Sequence, residues 1–209
     1  MKTMTRISII VFFGSLWGIL EATLGYALQF PLIPFFVSGM IMFPIAAGLL
    51  IRAYLLLQSR LNLLWIGIIA MSIKSINLLL PMNPWRTVNP MIAIILESLL
   101  MVGVVTLIVK KPIKPQVVGL FAASIGWRTL FLAFMFLQYA TTGFLHNDIS
   151  SLTAILTFIF IFGVVNTFIA LLIHQLLLRI ETKRYFKIQF NPIMSATLFV
   201  IALVLSYIL

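Results

Sequence analysis

Seven long apolar runs, at 7–29, 34–57, 62–80, 90–109, 116–140, 152–178 and 193–209, follow one another with only short turn-rich breaks. A run of this length matches the hydrocarbon thickness of a bilayer. Inside lipid, every backbone N–H and C=O must be satisfied within the protein, so only helices or a closed barrel remain. A barrel needs short strands with strict alternation, and these runs have none. The expectation is therefore an all-α, polytopic transmembrane bundle of six to seven helices, with 1–209 forming a single integral-membrane domain. The last run is the shortest and leaves the place of the C-terminus open.

Composition supports this reading. The chain is 63% hydrophobic and only 9% charged, with a mean hydropathy of +1.20, which excludes an ordinary soluble domain. Its net charge of +10 does not indicate nucleic acid, because the bases lie in inter-helix loops and form no face with interleaved aromatics. It reads instead as orientation. Lys2, Arg6, Arg52, Arg60, Lys110, Lys111, Lys114, Arg179, Lys183, Arg184 and Lys187 fall on one side, and Arg86 alone falls on the other. By the positive-inside rule the N-terminus is cytoplasmic and the turns around Pro31, Trp85 and His146 face outward, in a bacterial-type inner membrane with anionic lipid as neighbour. Lys2 and Arg6 ahead of an apolar run resemble a signal peptide, but the run is long and lacks a cleavage pattern, so it is expected to stay as the first helix. There is no cysteine, which removes disulfides and thiolate metal sites.

Four charges fall inside the apolar runs: Glu21, Lys74, Glu97 and Arg128, with a sum of zero. Lys74 and Glu97 flank the turn containing Pro81, Pro84 and Pro90. If the preceding helix ends near Leu80 and a new one starts at Pro90, each charge lies seven residues from the turn. That is about 10 Å deep, where opposite charges on facing helices neutralise each other. Glu21 lies about 10–13 Å and Arg128 about 20 Å below the outer turns. One use of the set is structural, as salt bridges that fix helix register, with the pairing open. The other is a ligand cavity in the outer half, where Asn77 and Asn166 supply hydrogen bonds and Trp17 and Trp127 apolar walls.

The remaining signals are weaker. Trp85 reads as an interfacial anchor. Arg86, Asn89, His146, Asn147 and Asp148 read as solvated loop polars or as a lid over such a cavity. His146 and Asp148 are too few for a metal site. Gly14, Gly18, Glu21 and Gly25 form a stripe with Ala22 beside it, its small residues suited either to packing in the same bundle or to docking another membrane subunit. Pro44 predicts a kink or break in the second run. ILEA at 19–22 and ILES at 95–98 sit in oppositely directed segments, the arrangement inverted repeats produce. No zinc-protease, nucleophile-elbow or Walker signature is present. The expectation is no enzymatic activity and no cofactor.

LWGILEATLG at 16–25, the Lys74 segment and VNPMIAIILESLL at 88–100 resemble the substrate-binding S components of energy-coupling factor transporters, over roughly the first half of the chain. The resemblance implies a bundle, typically of six helices, that captures a micronutrient near its outer face. It also implies a transmembrane T subunit that meets small residues of the first helix, which Gly14, Gly18 and Ala22 match, and two cytoplasmic ATPases. The missing Walker loop fits that division of labour. The seventh run departs from the pattern, and no ligand-specific motif of the vitamin binders is present. A self-contained carrier in which Glu21 or Glu97 cycles a proton, and a membrane scaffold, remain as alternatives.

Overall fold

The computed structural model describes residues 3–28, 36–81, 83–182 and 190–209. The turn around Pro31 and the bases Lys2, Lys183, Arg184 and Lys187 lie outside these. The described residues form seven helices and no strands. Helix α1 (Thr3–Leu20) continues through a π-helical turn, Glu21–Gly25. Helix α2 is Phe36–Leu57. Helix α3 (Leu61–Lys74) ends in a 3-10 turn, Ser75–Leu79. Helices α4 (Trp85–Ile108) and α5 (Ile113–Thr142) follow. Helix α6 runs from Leu152–Leu156 through a π turn, Thr157–Ile161, into Phe162–Thr182, and α7 is Pro192–Ile208. The first six are long and apolar enough to cross a membrane, and α7 is shorter. The protein is a multi-pass helical membrane protein.

Local chemistry sets the helix ends. Gly143 closes α5 at φ 72°, in the left-handed conformation that glycine adopts without strain. Asn191 caps α7, its side chain accepting from the Met194 N–H at 2.7 Å ahead of Pro192 in the first helical turn. Helix α2 continues through Pro44 without a break. The start of α4 differs from expectation: it begins at Trp85 and carries Pro90 inside. Asn83 explains this, because its side-chain oxygen takes the Trp85 N–H at 3.0 Å and opens the helix early. A proline that close to the start forfeits one bond, to the carbonyl of Arg86.

The α3–α4 hairpin therefore lacks the symmetry of equal depths. Glu97 lies twelve residues into α4, about 18 Å from its start, and no ion pair joins it to Lys74.

Helix α1 packs on α3, α7 and α2; α3 on α4; α4 on α5; α5 and α2 on α6. The glycine stripe serves the first of these interfaces. A Cβ on Gly14 would stand 2.7 Å from Ile69, and one on Gly18 would stand 2.7 Å from Ile73. Ala22 is buried as well. Gly14 and Gly18, matched above with Ala22 to partner docking, pack against α3 within the chain's own bundle.

Helix α7 is fastened at both ends. Ser195 donates to the Ser8 carbonyl at 2.7 Å, near the start of α1. Ser206 reaches the Ile73 carbonyl at 3.0 Å and the Asn77 side chain at 2.8 Å, at the far end of α3. Helix α7 thus runs alongside α1 through most of the bundle's thickness, and its C-terminal end lies at the end opposite the N-terminus.

Candidate functional site

A half-open cavity of about 730 Å³ lies at the end of the bundle away from the N-terminus. Its walls come from α1, α2, α4, α5 and α6 and from the turns at Asn83 and at 144–148. The floor is acidic and aromatic: Glu21, Glu97, Trp127, Phe131 and Phe158 line it. Trp85, Arg86, Phe144, His146, Asn147 and Asp148 surround the mouth. Its volume falls among those of small-molecule sites.

Irregular helix supplies two of the floor residues. Glu21 opens the π turn of α1 and Phe158 lies in the π turn of α6, each turn holding an extra residue that re-aims its side chains. Trp17, one helical turn before Glu21, donates its indole N–H to Glu21 Oε1 at 3.3 Å and is itself fully buried. The opposite wall centres on Gly39. Its carbonyl accepts from Asn166 Nδ2 at 3.1 Å and Arg128 Nη2 at 3.4 Å. A Cβ at that position would stand 3.4 Å from the Trp127 ring, so glycine lets the indole come close.

Arg128 has no solvent exposure and does not line the cavity. Its guanidinium lies 4.7 Å from the ring centroids of both Trp127 and Phe158, and 5.7 Å from that of Phe162. Aromatic faces stabilise a desolvated cation by about 2 kcal/mol. Phe43 stacks near Trp127 at 5.9 Å, completing the wall.

The buried charges sort into neighbouring pairs without close ion pairing. Glu21 lies within electrostatic reach of Lys74, and Glu97 within reach of both Arg128 and Glu21. The base nearest in influence is Lys74 for Glu21 and Arg128 for Glu97, and Glu97 also feels Glu21. The bases stand behind the walls while both carboxylates face the space.

Of the residues expected to hold a ligand, Glu21, Glu97 and Trp127 line the cavity. Trp17, Arg128 and Asn166 stand one layer back, orienting Glu21 or bonding to Gly39. Lys74 is buried against the bundle. Asn77 does not line the cavity; its amide donates to the Ser206 carbonyl at 3.0 Å and ties α3 to α7. The lid reading of Arg86, Asn89, His146, Asn147 and Asp148 places them where the cavity opens, and His146 Nδ1 is 3.3 Å from Asp148 Oδ2. Met42, Phe131, Phe144 and Phe158 carry no sequence signal that would separate them from the rest of the 18 phenylalanines and many aliphatics.

Several buried polar atoms at the cavity have no partner: Glu97 Oε2, Asn89 Oδ1 and Trp127 Nε1. Buried polar groups are satisfied in the great majority of cases, and an unsatisfied one costs about 1–3 kcal/mol. Among the described residues no three His, Asp or Glu side chains converge as a metal set.

Comparison of the chain with protein-family models, with curated proteins and with solved structures gave no match. The fold and the site define a class: a multi-pass helical membrane protein with a half-open, acidic and aromatic cavity at one end.

Proposed function

We propose that this protein is the substrate-binding membrane subunit of an ATP-driven micronutrient uptake transporter of the energy-coupling factor type, and that it captures a small polar solute in the cavity. The observation that carries the binding step is the convergence of unpartnered, buried polar atoms, Glu97 Oε2 among them, on one open space. The resemblance of 16–25 and 88–100 to S components supports the assignment to that machine. The chain itself performs no reaction in this reading, and ATP is hydrolysed by partner subunits on the cytoplasmic side. The basic loops at 58–60 and 109–114 mark that side, so the cavity opens outward. Because Gly14 and Gly18 are consumed by α3, a T subunit meets a different face of the bundle.

Gentle-detergent affinity capture of the tagged protein from its host, with mass spectrometry of co-eluting proteins, tests the assignment. Recovery of a second membrane subunit and two ATPases is expected. A protein that comes out alone at every detergent mildness contradicts it.

The paired carboxylates facing the cavity favour one second reading, a carrier in which Glu21 or Glu97 cycles a proton. That reading requires liposomes holding this protein alone to accumulate solute along a pH gradient; the leading reading predicts no such uptake.

A further inference from the structure

The acidic residues of this chain are few and unevenly placed. It has four Asp and Glu against fourteen Lys and Arg, yet among the described residues Glu21, Glu97 and Asp148 all line the cavity and Arg86 is its only lining Lys or Arg. Arg86 is in the first turn of α4 at the mouth, eleven residues before Glu97, about 16 Å along the helix. The floor therefore presents carboxylates and no base. Glu21 and Glu97 are also within electrostatic reach of each other, and because Lys74 and Arg128 do not line the cavity, a cation entering it meets the carboxylates first.

Hydrogen-bonding capacity points the same way. On the lining, Glu97 Oε2 and Asn89 Oδ1 are acceptors without donors and Trp127 Nε1 is a donor without an acceptor, while the unpartnered Arg128 Nε and Nη1 stand behind the wall. Among the described residues the only hydroxyl on the lining is that of Ser38. With Arg86 at the mouth as its one lining base among the described residues, such a surface does not suit a phosphate, which needs several. The rest of the floor is Trp127, Phe131 and Phe158, with Trp127 6.0 Å from Phe131 and 6.2 Å from Phe158 between ring centroids. The rings are angled, Phe131 at 50° and Phe158 at 76° to Trp127, so they offer an aromatic ligand both faces and edges. With no cluster of three metal-ligating acids or histidines among the described residues, an organic cation fits better than a bare ion.

We infer that the cavity takes a flat aromatic amine, its ammonium set between Glu21 and Glu97 and its ring along Trp127, Phe131 and Phe158. This rests on the binding function proposed above and names the class of its ligand. A neutral set of four buried charges would suggest a zwitterion; the placement of both bases behind the walls removes that symmetry.

Equilibrium binding of tritiated tryptamine to the purified full chain tests it, with tryptophol and indole-3-propionate as competitors that keep the indole and change only the charged end. A hydrogen bond to a charged group contributes about 1.5–3 kcal/mol, so tryptamine is expected to bind roughly tenfold or more tighter than tryptophol, and the carboxylate weakest. Glu97→Gln, and independently Glu21→Gln, is expected to weaken tryptamine about tenfold and tryptophol less than about threefold, with the melting temperature checked for both variants. Tryptophol or the carboxylate competing as well as unlabelled tryptamine overturns the ligand class, as does undiminished tryptamine binding in both folded variants. The binding function would still stand. Absence of binding by all three indoles also overturns the class. The binding function itself falls only if, in addition, the protein isolated from its host carries no small molecule.

Discussion

Arg128 and Glu97 show what a buried charge needs in this fold. Each is nearly or wholly without exposure, and removing water from an ion costs several kcal/mol. Arg128 recovers part of that from three aromatic rings and the Gly39 carbonyl, and part from the neighbouring carboxylate. The two sites are therefore expected to be coupled. Arg128→Met alone is predicted to destabilise by about 3–5 kcal/mol, and by about 1–3 kcal/mol less when Glu97→Gln is already present, read from unfolding in detergent. Glycines give a second pair of outcomes. Gly18→Leu drives a side chain into Ile73 and is predicted to cost about 1–3 kcal/mol or more. Gly103 faces open space within the C-terminal part of α4, and Gly103→Ala is predicted to stabilise by about 0.5–1 kcal/mol through helix propensity.

Among the elements, the helices were legible from apolar run length, and the site was legible only in part. Membrane hydrocarbon forces helix on any sufficiently long apolar run, which is why α5 and α6 follow the runs at 116–140 and 152–178 with only their ends extended. Proline rules placed the start of α4 at Pro90, but a side-chain bond from Asn83 opened it at Trp85. That shift moved Glu97 out of register with Lys74. The small-residue stripe of α1 was equally ambiguous: sequence showed that something packs there, and only the fold identifies Ile69 and Ile73 as what does. Asn77 carried the signature of a ligand residue, a polar side chain in an apolar run, and is spent on Ser206. Asn77→Ala leaves the buried Ser206 carbonyl without its side-chain donor. It is predicted to cost about 1–3 kcal/mol in detergent melts while leaving any ligand affinity unchanged, since Asn77 does not line the cavity.

At the scale of the whole molecule, the bundle has two chemically distinct ends. Arg60, Lys110, Lys111 and Lys114 are exposed at the end that carries the N-terminus, and the cavity opens at the other. The cysteine-free sequence makes the proposed orientation directly testable. Asn147→Cys is predicted to react with a membrane-impermeant maleimide in intact cells, and Lys111→Cys only after permeabilisation; the reverse pattern would invert the topology. The central claim is that the acidic and aromatic cavity holds a small solute. Native mass spectrometry of the protein released gently from its host membrane tests that most directly. The account predicts a bound small molecule on the native protein that is lost from folded Glu97→Gln. A native protein carrying no adduct, or an adduct that Glu97→Gln retains in full, would contradict it.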